Sequence, residues 1–198
     1  MKDLLYTVAR AESGELIKAP DATKGERFLC VVCSGEMILR KSIRQLRRPH
    51  FAHKHLTQNC TPESALHFVF KTLLFNTISD NLGKKLPLDV EWDCVFCNEK
   101  HGGNLLKKVA AAKLEYDMTV CKPDIALLNS SDKPVVAMEI VVTHSPEDSS
   151  KQFYDNNNII LVHVILIDFF YCILVPSYNN RWLVNIEKQV GFIDIQIL

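Results

Sequence analysis

The chain has 198 residues, 47% of them apolar and 23% charged, with 7 Gly and 8 Pro. This composition excludes disordered, collagen-like and low-complexity architectures, and the length suits one domain or a small core with an appendage. Lys plus Arg and Asp plus Glu both number 23, so the net charge is zero. That excludes a generally basic coat for nucleic acid, and any such contact needs a local patch.

The opening stretch, MKDLLYTVARAESGEL, has no apolar core of signal-peptide length, and no internal repeat follows it. Of the 7 Cys, four form two C-x-x-C pairs, Cys30/Cys33 and Cys94/Cys97. Without an export signal, such pairs read as metal ligands before disulfides, and the expected compartment is the cytoplasm.

After Cys30-Val-Val-Cys33 come Pro49-His50-Phe51-Ala52-His53 and then Cys60. Two thiolates on a knuckle can share one Zn²⁺, and tetrahedral closure needs two more N or S donors. His53 and Cys60 are the expected pair, with His50 as the competing imidazole. The segment from Met37 to Pro62 holds no acidic residue, while Arg40, Lys41, Arg44, Arg47, Arg48 and Lys54 fall there beside His50, His53 and His55. Clustered cations of this kind are what phosphate contacts require, though most charge runs are solvated surface.

A helix is expected next, capped by Thr61, with Pro62 in its first turn and Glu63 at the positive end of its dipole. Leu66, Val69, Phe70, Leu73 and Leu74 form its core-facing stripe, and the helix should stop before Gly83. Strand-like segments follow at Leu86–Trp92, Val109–Tyr116, Ile125–Leu128 and Val135–Val142. The Cys94/Cys97 knuckle interrupts this run as a candidate second zinc site, with His101 and Cys121 as its partners. Gly102-Gly103 reads as a turn. The polar stretch Asn129-Ser130-Ser131-Asp132-Lys133 reads as the turn of a hairpin.

A short helix from Pro146 to Asp155 leads into IILVHVILIDFFYCILV, Ile159 to Val175. That run is shorter than the roughly 20 residues of a membrane-spanning helix and carries His163 and Asp168, so it reads as two buried strands bent near Asp168. Trp182 to Leu198 should add one or two strands. The expected division is a Cys/His-rich region, 1–60, and an α/β domain, 61–198, with helices covering a central sheet.

The most informative stretch is Lys122-Pro123-Asp124-Ile125-Ala126-Leu127-Leu128 with Val135-Val136-Ala137-Met138-Glu139-Ile140-Val141-Val142. A carboxylate inside an apolar strand is costly unless paired or metal-bound. Across a hairpin Asp124 and Glu139 could share Mg²⁺ or Mn²⁺, with Glu115 as a third ligand. Lys113 shares the face of Glu115 by the two-residue strand period. Such a site suits phosphodiester hydrolysis, where a metal activates water and a lysine stabilises the pentavalent centre. The competing reading is a buried Glu satisfied by Arg or by backbone donors.

Pro123-Asp124 with Glu139 resembles the PD-(D/E)xK nuclease signature. The segment from Cys30 through Arg48-Pro49-His50-Phe51-Ala52-His53, Cys60 and Glu63-Ser64-Ala65-Leu66-His67-Phe68-Val69-Phe70-Lys71 is similar to the competence protein CoiA-like family. The likeness runs from Phe28 to Leu166. It implies a restriction-endonuclease-like mixed sheet flanked by helices, acting on DNA, with Asp124 and Glu139 as metal ligands. It also marks Glu63, His67 and Lys71 as a patterned face, and their spacing of four residues independently lines one side of a helix. The signature expects Lys where Val141 stands. The resemblance implies Gln there in many members, with a hydroxyl residue two further on, where this chain has Thr143. A displaced lysine, Lys113 or then Lys71, would fill the role, and His144 could assist as acid or base.

Three functions compete: a Mg²⁺- or Mn²⁺-dependent DNA nuclease, a DNA-binding protein that has lost the chemistry, and a zinc-stabilised interaction module. No membrane contact is expected. A protein partner or a second copy of the chain is compatible with all three.

Overall fold

The structure, a computed structural model, describes residues 5–42, 48–55, 60–93, 99–142, 147–165, 183–187 and 194–197. The chain divides into two compact units, Met1–Phe70 and Lys71–Leu198. The boundary falls inside the long helix α1 (Pro62–Lys84).

The first unit is built on five short strands: β1 (Val8–Ala11), β2 (Leu16–Lys18), β3 (Phe28–Leu29), β4 (Glu36–Arg40) and β5 (His50–His53). They form an antiparallel sheet in the order β2-β1-β3-β4-β5. Strand β4 alternates exposed and buried positions, so Met37 and Leu39 turn inward while Glu36, Ile38 and Arg40 face solvent. The inward side chains join Ala9, Phe28, Cys30 and Phe51 in one small core. Phe28 and Phe51 are its largest fully buried side chains, with ring centroids 5.0 Å apart.

Thr61 caps α1 as its sequence foretells. Its Oγ1 accepts the Ser64 N–H at 3.1 Å, and Ser64 Oγ accepts the Thr61 N–H at 2.9 Å, a reciprocal pair that satisfies two donors at the helix start. Leu66, Val69, Phe70 and Leu74 are buried, but Leu73 is exposed. Ile78 and Lys71 are buried instead: beyond Phe70 the buried face moves round to Lys71, Leu74 and Ile78, spaced i, i+3 and i+7, and Leu73 falls outside it. The helix also outruns Gly83. It closes at Lys85, which adopts a left-handed conformation (φ 56°) while Leu86 N–H reaches back to Asn81 O.

The second unit carries β6 (Asp89–Asp93), β7 (Lys100–Asn104), β8 (Ala111–Leu114), β9 (Ile125–Leu128), β10 (Pro134–Val141), α2 (Asp148–Asn156), β11 (Ile160–Ile165), β12 (Leu183–Glu187) and β13 (Asp194–Ile197). They form one mixed sheet in the order β7-β6-β13-β12-β11-β10-β9-β8. Strands β8, β9 and β10 make an antiparallel meander, and α2 then carries the chain to β11, which pairs parallel to β10. Strand β9 is buried at all four positions, consistent with a central strand covered on both faces. The hairpin turn forms as expected, with Asn129 Oδ1 accepting the N–H groups of Ser131 and Lys133.

Gly102 and Gly103 are not a turn. They lie within β7, opposite Glu91 and Val90. A strand at the sheet edge tolerates glycine because it has one neighbour to pack against rather than two. The bend near Asp168 lies outside the described residues. No helix among them is long and apolar enough to cross a membrane.

Candidate metal centre and carboxylate site

The tight β3–β4 turn presents Cys30 and Cys33. Cys30 N–H bonds Gly35 O at 2.8 Å, Ser34 N–H bonds Cys30 O at 3.0 Å, and Ser34 takes a left-handed φ of 56° to close the loop. His53 ends β5, and Cys60 sits just before the α1 cap. The four side chains converge, Cys30 Sγ lying 3.4 Å from Cys60 Sγ and Cys33 Sγ 3.2 Å from His53 Nε2. All four ligand atoms lie within 4.8 Å of one another, so these residues could hold a metal ion. A tetrahedral zinc shell with Zn–S near 2.3 Å has edges of about 3.8 Å, and three sulfurs with one imidazole suit that ion. His50 is not part of the group. Its Nδ1 sits 2.9 Å from Arg48 O.

Tyr6 closes the cluster from the side. Its hydroxyl donates to Cys60 O at 2.7 Å, and its ring meets His53 edge-on with centroids 4.9 Å apart. Burial and the neighbouring thiols push the Tyr6 phenol up. Burial, then the hydrogen bonds to Cys30 and Cys33, pushes the Cys60 thiol up to about 12. A bound cation would reverse that tendency by favouring the thiolates.

Residues 13–63 match the family described as competence protein CoiA, N-terminal domain. That span contains all four residues of the cluster and ends in the first turn of α1, so the likeness to CoiA concerns the first unit. No curated protein and no solved structure matches the chain.

Within the CoiA-like span, the basic run is partly described. Arg40, Lys41 and Arg48 are exposed, whereas Arg44 and Arg47 lie outside the described residues. Lys41 is tied down, its Nζ donating to Pro20 O at 2.7 Å, and Lys54 pairs with Glu36 at 3.1 Å. Cys94 and Cys97 lie outside the described residues, as does His144. Of their expected partners, His101 is exposed on β7, while Cys121 packs against Tyr154 and the apolar residues Ala137, Ile159 and Leu161. Among the described residues, the Cys30/Cys33/His53/Cys60 group is the one place where three or more His, Cys, Asp or Glu ligand atoms gather.

The carboxylates occupy the start of the meander. Met138 faces Ile125 in the last pair of the hairpin ladder, so Asp124, just before β9, and Glu139 on β10 both flank that pair. Asp124 Oδ2 accepts the Ile140 N–H at 2.9 Å, satisfying a backbone donor just where β9 begins. Its Oδ1 lies 3.4 Å from Lys71 Nζ. Glu139 Oε1 accepts the Tyr154 hydroxyl at 3.0 Å.

Lys71, not Lys113, is the cation at this place. Lys71 Nζ also bonds Glu115 Oε1 at 2.6 Å, and Lys122 reaches Glu115 Oε2 at 3.0 Å. Lys113 Nζ turns to Asp132 at 3.2 Å, along the exposed side of the sheet edge. Glu115 is not on a strand. It follows β8 in a left-handed conformation (φ 47°), and its N–H bonds Asp124 O at 3.0 Å. The two ammonium groups, Lys71 foremost, hold the Glu115 carboxyl down near pH 2. Glu63 and His67 are half-buried on α1 in the first unit.

Three contributors escape a reading by spacing: Tyr6, Lys122 and Tyr154. Lys122 stands directly before Pro123-Asp124, a proximity that could have flagged it. Tyr6 and Tyr154 meet their partners from 54 and 15 positions away, with no local pattern to announce them.

Proposed function

We propose that the second unit is a nuclease core of the PD-(D/E)xK kind, hydrolysing DNA phosphodiester bonds with Mg²⁺ or Mn²⁺. The observation that carries this reading is the placing of Lys71 3.4 Å from Asp124, which stands just before β9 and accepts the N–H of Ile140, next to Glu139 on β10. The mixed sheet, with α2 crossing from β10 to the parallel β11, is compatible with the helix-flanked mixed sheet that the resemblance implies, which supports the reading. Val141, the position where the signature wants lysine, is buried apolar surface, and Lys71 supplies the missing positive charge from α1.

The donor set fits a hard divalent ion. Asp124 and Glu139 offer carboxylate oxygens, and both retain some exposure to solvent. They would hold the ion, which would supply an activated water and neutralise charge on the phosphate. The Ile140 N–H fixes the Asp124 carboxylate by one oxygen. Lys71 places an ammonium beside it, suited to a non-bridging phosphate oxygen as negative charge builds there. Glu115 holds that ammonium in place, and Lys122 offsets the charge of Glu115.

In the first unit, we infer that zinc binds Cys30, Cys33, His53 and Cys60 and fixes the β3–β4 turn. Arg40, Lys41 and Arg48 would meet the phosphate backbone. A second reading, DNA binding without cleavage, is favoured by Val141 and by the ion pair with Lys71 that already engages Asp124. Plasmid cleavage with Mn²⁺ decides between them. Cutting that falls at least about 100-fold in Asp124→Ala, with zinc content unchanged, supports the nuclease. Salt-sensitive binding with no cutting supports the second reading, and neither result leaves a zinc-stabilised interaction module.

A further inference from the structure

We propose that Tyr154 is a positioning residue for the metal site, acting through Glu139. This rests on the carboxylate reading above.

Tyr154 lies on α2, the crossover between β10 and β11, and is fully buried. Its ring packs among Ala137, Ile159 and Leu161, with Phe153 edge-on at 6.0 Å. Packing alone would be served equally by phenylalanine. The hydroxyl is what distinguishes it, and that hydroxyl is directed at Glu139 Oε1, 3.0 Å away. Cys121, in the loop leading to Pro123-Asp124, packs against the same buried cluster. The phenol thus bonds the strand that carries Glu139, and the cluster around its ring holds the loop that delivers Asp124.

A lone glutamate on a strand can swing about its terminal torsion, which is broad and roughly two-fold. A donor fixed by the core removes that freedom by anchoring one oxygen and setting the direction of the other. This is the arrangement by which outer partners orient a metal-ligating carboxylate, and losing such a partner commonly lowers metal affinity 10- to 100-fold.

The test is a cycle of Mn²⁺ affinities, read by electron paramagnetic resonance of free Mn²⁺, in the full-length protein. The four proteins are wild type, Tyr154→Phe, Glu139→Gln and the double variant. Tyr154→Phe should weaken Mn²⁺ binding about tenfold in the wild-type background and change nothing once Glu139 is Gln. An equal loss in both backgrounds, or no loss in Tyr154→Phe while Glu139→Gln abolishes binding, overturns the proposal and leaves the metal site standing. If wild type and Glu139→Gln bind Mn²⁺ alike, the carboxylate reading fails and takes the proposal with it. Should Tyr154→Phe not fold, Glu139→Asp replaces it: the shorter side chain withdraws from the phenol but keeps its charge. A loss of about tenfold is then expected, and wild-type affinity contradicts the proposal.

Discussion

The Lys71 ammonium stands between two carboxylates, 2.6 Å from Glu115 and 3.4 Å from Asp124, with its side chain only 11% exposed. A cation taken that far out of water is stable because both partners are anionic and close. The same contact leaves a positive charge beside the carboxylate that would bind metal.

Replacing Lys71 with Met should therefore have two effects. Asp124 loses its cationic partner while remaining mostly buried, a cost of about 2 kcal/mol in urea unfolding. Cleavage should fall at least about 100-fold at every Mn²⁺ concentration, because the charge that steadies the phosphate is gone. Lys113→Met should change neither measurement much, since Lys113 pairs with the exposed Asp132.

Acid should weaken the second unit in a definite window. Glu115 is held down near pH 2 from an ordinary value of 4.5, chiefly by Lys71 and then by Lys122. A depressed carboxyl contributes stability that is fully present above about pH 4.5 and is lost as the pH falls toward 2. Urea midpoints measured across that interval should drop for the wild type and drop less steeply for Glu115→Gln. Glu115 is half exposed, so solvent screening keeps the difference small.

How far these relationships can be read without coordinates depends on the distance over which they are encoded. The Cys30/Cys33/His53/Cys60 group is legible because the C-x-x-C spacing and the nearby imidazole and thiol are themselves the chemistry. The β9–β10 hairpin is legible because two apolar runs flank a polar turn. The choice between Lys113 and Lys71 is not. Strand period puts Lys113 beside Glu115, but β8 ends at Leu114 and Glu115 swings into a left-handed turn, which breaks the parity. What brings Lys71 in is the packing of a helix residue 44 positions from Glu115. Tyr154 is hidden for the same reason, its partner lying across a strand-to-helix crossover.

Zinc removal should act on the first unit. Its core is a handful of side chains around Phe28 and Phe51, too few to be robust without a staple. Stripping metal with a chelator, or making Cys30→Ser, should raise amide exchange in β3, β4 and β5 well before β9 and β10 respond. Zinc by mass spectrometry should fall from about one per chain in the untreated protein to near zero.

The basic residues should show graded effects on DNA affinity. Each phosphate contact contributes close to one unit to the slope of log affinity against log salt. Arg40→Ala should reduce that slope by about one unit. Lys41→Ala should do less, because its ammonium is already engaged by Pro20 O.

Asp124 and Glu139 are proposed to share a divalent cation. Crystals soaked in Mn²⁺ and measured at a wavelength where manganese scatters anomalously test it directly. A peak is expected at the two carboxylates, absent in crystals of Asp124→Ala. A map with no peak there, while Lys71 keeps its contact with Asp124, would contradict it.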